Sequence, residues 1–217
     1  MTTNYSNLTT SNYLVNELDN IFSQSNSAGS FATSYISYLN KVLVGFNVKE
    51  FDSLIKLFLD ARKRDAQIFF IGNGGSATTA SHFANDLAIG TRSHKKPFRA
   101  MSLTDNQAIV TAISNDNGFD NIFVLQLETL MKKGDVVVAI SASGNSTNLI
   151  KAVEYANLNG SLTVGITSFD GGQLQKIASL GVHIPTNKGE YGPAEDAHMI
   201  INHLIGAYLT RLVANEQ

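Results

Sequence analysis

The stretch GDVVVAISASGNSTNLIKAVEYA, residues 134–156, changes rhythm in its middle. Asp135 to Ile140 ends in a β-rich run that is apolar at consecutive positions, as expected of a strand covered on both faces of a parallel sheet. Ser141-Ala142-Ser143-Gly144-Asn145-Ser146 follows as a polar turn, and apolar residues then recur at helical spacing to about residue 159. Strand, loop and helix therefore stand in immediate succession.

Working outward, the same rhythm returns at Gln67 to Ile71, Phe98 to Leu103, Leu162 to Ile166 and Gly181 to Ile184. Between these runs the spacing predicts helices over about 76–90, 106–114, 120–131 and 172–179, and a long one over about 193–213. The alternation specifies an α/β domain: a doubly wound, mostly parallel five-stranded sheet flanked by helices, with ligands beyond the carboxyl ends of its strands. Ser30 to Arg64 reads as one or two amphipathic helices carrying Tyr35, Leu39, Leu43, Phe51, Leu54, Ile55 and Phe58. Residues 1–30, rich in Ser, Thr and Asn, read as a flexible or oligomer-packing arm, with a short apolar patch at Tyr13, Leu14, Leu18 and Phe22. Residues 31–217 are expected to form a single domain.

Composition narrows the function. The 217 residues carry 16 basic and 18 acidic side chains, a net charge of −2, which gives no electrostatic footprint for nucleic acid or a membrane surface. There is no cysteine, so any metal must be held by His, Asp, Glu or Gln. The N-terminus lacks a secretion pattern and no run is apolar enough to span a bilayer, so a cytoplasmic location is expected.

Two loops at strand ends could hold a ligand. Gly72-Asn73-Gly74-Gly75-Ser76 lies between a strand and a helix, where glycines admit a ligand to the backbone and free N–H groups favour an anion. Gly72, Gly74 and Ala77 also fit the dinucleotide fingerprint, but the next acidic residue, Asp105, comes late and opens its own turn. The second loop converges three hydroxyls, Ser141, Ser143 and Ser146, on a helix N-terminus, which suits a phosphate. The competing reading makes Ser143 and Ser146 simple helix caps. No Gly-Lys-Ser/Thr sequence follows, which argues against a P-loop triphosphate site.

His82 and Asp86 share a face one helical turn apart, able to bind a metal or move a proton. The last helix opens at Gly192-Pro193 and carries Glu195, Asp196, His198 and His203. Glu195 and His203 are eight residues apart, about 12 Å along a helix axis, and would meet one ligand only from opposite sides or across a subunit boundary. Glu195 and Asp196 also suit a first helical turn as complements to its dipole. His198, amid apolar residues at core spacing, reads as a hydrogen-bonded core histidine.

With these residues in place, the sequence resembles the sugar isomerase (SIS) domain family, and within it the phosphoheptose isomerases. The likeness spans about residues 35–213 and rests on GNGGSATTASHFANDL, SNDNGFDNIF, GDVVVAISASGNSTNLIKAVEYA, GITSFDGGQL and EDAHMIINH. It implies a SIS-type, flavodoxin-like fold with an N-terminal helical extension. It implies that Ser141, Ser143 and Ser146 hold a sugar phosphate while Asn73, Gly74, Ser76 and Asp116 contact the sugar. The implied reaction interconverts sedoheptulose 7-phosphate and an aldoheptose 7-phosphate through an enediol, supplying heptose for surface polysaccharide (lipopolysaccharide or capsule).

The resemblance further implies a zinc ion held by His82, Asp86, Glu195 and His203, with Asp86 or Glu195 as base and His203 as acid. It implies a homotetramer with sites at subunit boundaries. This chain departs from the family pattern at Asp86, where Glu is usual, and at Glu195, where Gln is usual. It also departs at Ala142 in place of Thr, at Gly90 in place of an Arg, with Arg92 nearby, and at Gly192 in place of an Asp. Rival expectations are a non-catalytic SIS sugar-phosphate sensor or protein-binding scaffold, and an isomerase of another sugar phosphate.

Overall fold

The structure, a computed structural model, describes residues 16–214. Five strands, β1 (Gln67–Gly72), β2 (Arg99–Ser102), β3 (Val136–Ser141), β4 (Leu162–Thr167) and β5 (Leu180–His183), form one all-parallel sheet in the order β2-β1-β3-β4-β5. This is the doubly wound order in which the direction of strand addition reverses between β1 and β3. Gly72 pairs with Ile140, so the loops after β1 and β3 leave the sheet side by side at that switch point.

Alternation along the strands feeds two cores. Ile68, Phe70, Val136, Val138 and Ile140 face one side, where they meet Leu54, Phe58, Phe83, Ile201 and Ile205. Phe69, Ile71, Val137 and Ala139 face the other, against Leu103, Leu127, Leu149 and Val153. The first side is covered by α3 (Val48–Lys63), α4 (Gly75–Asn85) and α9 (Tyr191–Ala214). The second is covered by α5 (Gln107–Asn117), α6 (Val124–Leu130), α7 (Thr147–Leu158) and α8 (Gly172–Ile177). No helix among the described residues is long and apolar enough to cross a membrane.

Several boundaries differ from the sequence reading. Of the arm expected over residues 1–30, Glu17–Gln24 forms α1, closed by a capping box between Asn16 and Asp19, and α2 runs from Ala28 to Val44. Ile21 is the buried residue of α1, whereas Phe22 is exposed, its ring edge-on to Phe31. Tyr13 and Leu14 lie outside the described residues. The helix expected over 120–131 is split into a 3₁₀ turn, Phe119–Asn121, and α6. Pro193 is not the first residue of the last helix: Tyr191 opens it, and Pro193 sits in the first turn, where a missing N–H costs nothing.

The N-terminal helices grip the start of α9. Glu190 is completely buried and accepts hydrogen bonds from the Glu17 N–H (2.6 Å), the Tyr38 hydroxyl, and the backbone and side-chain N–H groups of Asn187 (3.2 and 3.1 Å). Its carbonyl oxygen takes the Ala194 N–H at 3.3 Å, the first turn of α9. A turn further on, Tyr35 of α2 donates to Asp196 at 2.5 Å. Burial and the Glu190 carboxylate push the Tyr38 hydroxyl well above the usual tyrosine range, so it remains a donor.

Candidate active site

The serine loop closes on itself around a small cavity. Ser141 ends β3, is buried, and accepts the Gly144 N–H at 3.0 Å. Ser143 accepts the Asn145 N–H at 3.3 Å. Gly144 has φ +64° and lies so close to the Gly171 carbonyl that any side chain would overlap it. Ser146 occupies the cap position of α7, yet its hydroxyl makes no capping hydrogen bond. The simple-cap reading therefore fails for Ser146, whose hydroxyl is left for a ligand at a helix N-terminus. The cavity, about 140 Å³, is lined by Ser141, Ser143 and Ser146 from this loop, Asn73 and Ser76 from the glycine loop, and Tyr191 and Glu195 from α9.

The glycine loop is tied to the serine loop. Asn73 and Asn148 exchange side-chain amide hydrogen bonds, both 2.9 Å, across the switch point. Gly74 caps α4 without a side chain, and Gly75 faces the Glu195 carboxylate so closely that a Cβ there would overlap it. The Glu195 carboxylate has no hydrogen bond or ion pair among the described residues, and it is presented to the cavity.

From that contact, α4 and α9 run on side by side to a second cluster. His82, Asp86 and His203 bring one ligand atom each to within 4.8 Å of one another. His82 Nε2 lies 3.3 Å from His203 Nε2 and 3.3 Å from Asp86 Oδ2. Asp86 begins a π turn, Asp86–Gly90, that continues α4, a widening often found where a helix serves a site. Asp86 and His203 border a cavity of about 200 Å³ with Gly90, Gly206, Ala207 and Thr210. Two imidazole nitrogens and a carboxylate oxygen with room for a fourth ligand are a donor set that zinc accepts, at about 2.0–2.2 Å per bond.

Of the four expected metal ligands, the structure joins His82, Asp86 and His203 and sets Glu195 apart, in the serine cavity two helical turns away. Asp116 is exposed on α5, bonded by Asn115 at 2.8 Å, and does not line that cavity. His198 is the buried core histidine the apolar spacing predicts: its Nε2 lies 3.1 Å from Ser168 Oγ, and burial pushes its pKa down to about 4. Sequence reading missed Tyr191, Asn148 and Asn202. For the two asparagines the one available signal was a polar residue at an apolar helix position.

The SIS domain family profile matches residues 33–168. The chain is 38% identical over 149 residues to the phosphoheptose isomerase of Geobacter metallireducens, covering 69% of this chain and 78% of that protein. It is 33% identical over 168 residues to the phosphoheptose isomerase of Vibrio parahaemolyticus, covering 77% and 87%. Among solved structures, the phosphoheptose isomerase of Neisseria gonorrhoeae superposes with a TM-score of 0.75 at 27% identity, over 84% of this chain and 98% of that one.

Proposed function

The chain belongs to the SIS domain family, and from that premise we propose that it is a phosphoheptose isomerase, interconverting sedoheptulose 7-phosphate and an aldoheptose 7-phosphate. One observation carries the reading: a phosphate-sized serine pocket and a His/Asp cluster stand at the two ends of one helix seam, formed by α4 and α9. Gly75 and His82 are seven residues apart, about 10 Å along α4.

Distance within the single chain favours one proton-transfer pair. The reaction moves a proton between adjacent carbons, so base and acid must stand together. Asp86 and His203 do, and Glu195 does not. Asp86, with Asn202 donating to its Oδ2, is therefore read as the base, and His203 as the acid that donates to the substrate oxygen. Glu195 accepts hydrogen bonds from sugar hydroxyls beside Asn73 and Ser76. His82, Asp86 and His203 would hold a zinc ion, which when bound polarises the carbonyl oxygen.

The same reading includes a cytoplasmic homotetramer serving surface-polysaccharide synthesis, with sites at subunit boundaries. In its support, Ile89, Leu204 and Tyr208 stand exposed on the segments that carry the cluster.

The test is solvent exchange. Purified protein incubated with sedoheptulose 7-phosphate in deuterium oxide should incorporate deuterium at C1 and form aldoheptose phosphate, with His203→Ala slower by at least about 100-fold. Wild-type protein that binds the sugar phosphate without exchange would sink the reading.

A further inference from the structure

Asn202 is an anomaly on the inner face of α9. Its side chain is completely buried, with the core residues Ile201 and Ile205 on the same helix. Among the described residues, its Nδ2 donates to Asp86 Oδ2 at 3.2 Å and otherwise meets only Met199 Sδ, at 3.7 Å, while Oδ1 has no partner. A buried amide with half its hydrogen-bonding capacity unused weakens a seam that leucine would fill better, and asparagine is a poor former of helix interior. Packing gives no reason for it. Apart from the Met199 sulfur, the one hydrogen-bonding contact of its side chain among the described residues is with the carboxylate of the reactive cluster.

We infer that Asn202 is the positioning residue of that cluster, fixing one oxygen of Asp86 so that the carboxylate stays aimed at His82 and His203. The geometry needs such a device. Asp86 is short and sits at the first residue of a π turn, and among the described residues its Oδ1 is held only by the neighbouring exposed Asn85, whose Nδ2 lies 3.4 Å away. The hydrogen bond from Asn202 holds the other oxygen, Oδ2, from the opposite helix, so the carboxylate is fixed at both ends and the α4 half of the site is tied to the α9 half. The inference rests on the isomerase reading of the cluster.

The experiment compares full-length wild type with Asn202→Leu, which keeps the number and branching of side-chain heavy atoms and lacks the donor. Metal-stripped proteins are titrated with zinc against a chromophoric chelator, and kcat and KM are measured with sedoheptulose 7-phosphate. We expect zinc affinity to fall about 10- to 100-fold, the usual effect of removing a partner behind a metal ligand. We also expect kcat to fall with KM little changed, and the metal-free melting temperature to hold or rise. Should the leucine variant fold poorly, Asn202→Ser, whose hydroxyl is too short to reach Asp86, is expected to show the same losses. Equal zinc affinity and equal kcat in a folded variant would overturn the positioning role while leaving the isomerase reading intact. A wild type that neither binds zinc nor isomerises the sugar would overturn both.

Discussion

At the scale of single residues, Ser146 decides between a helix cap and a ligand site. Its hydroxyl bonds to nothing in α7, so Ser146→Ala should leave the melting temperature unchanged. It should raise KM for the sugar phosphate about 10- to 100-fold, since a hydrogen bond to a charged group contributes about 1.5–3 kcal/mol. Equal KM values in steady-state kinetics would return Ser146 to the role of a spacer. Three serines within six positions mark this loop as a candidate site from sequence, and the structure brings their side chains to one cavity. Asn148 and Tyr191 were not legible: each acts through a neighbour brought in by the fold, Asn73 for one and the serine loop for the other.

At the scale of elements, α9 is the joint between core and site, and His198 is its pin to Ser168 just beyond β4. The pKa of His198 is lowered to about 4 from the ordinary 6.5. Between those values the unfolded chain binds a proton that the folded chain refuses. The contribution of this residue is thus full above pH 6.5 and falls away as pH drops toward 4, by about 3 kcal/mol in all. Urea denaturation at pH 7 and pH 4.5 should show this slope in the wild type and a flatter one in His198→Gln; parallel slopes would refute it. Helical periodicity announced His198 as core and paired His82 with Asp86 on one face. It could not assign Glu195, because spacing along one helix does not say which part of a neighbouring helix lies alongside. That register is set by contacts distant in sequence, Gly75 against Glu195 and His82 against His203. The π turn at Asp86 was equally invisible, since the apolar pattern of 76–90 reads as one uninterrupted helix.

At the scale of the whole molecule, topology places the glycine loop and the serine loop together. The strand order reverses between β1 and β3, and sequence reading anticipated the parallel sheet because its strands are apolar at consecutive positions. What it could not anticipate is the buried Glu190, whose partners come from α1, α2 and its own turn, so that the N-terminal helices form part of the wall behind Tyr191 and Glu195. The side-by-side course of α4 and α9 has a consequence for substrate choice. A ligand anchored by its phosphate in the serine pocket must be long enough for its carbonyl to arrive at Asp86 and His203, so the seam acts as a ruler. Triose and tetrose phosphates should occupy the serine pocket and inhibit competitively while exchanging no proton with solvent. Turnover of a triose phosphate at a rate comparable to the heptose would show that no such minimum length exists.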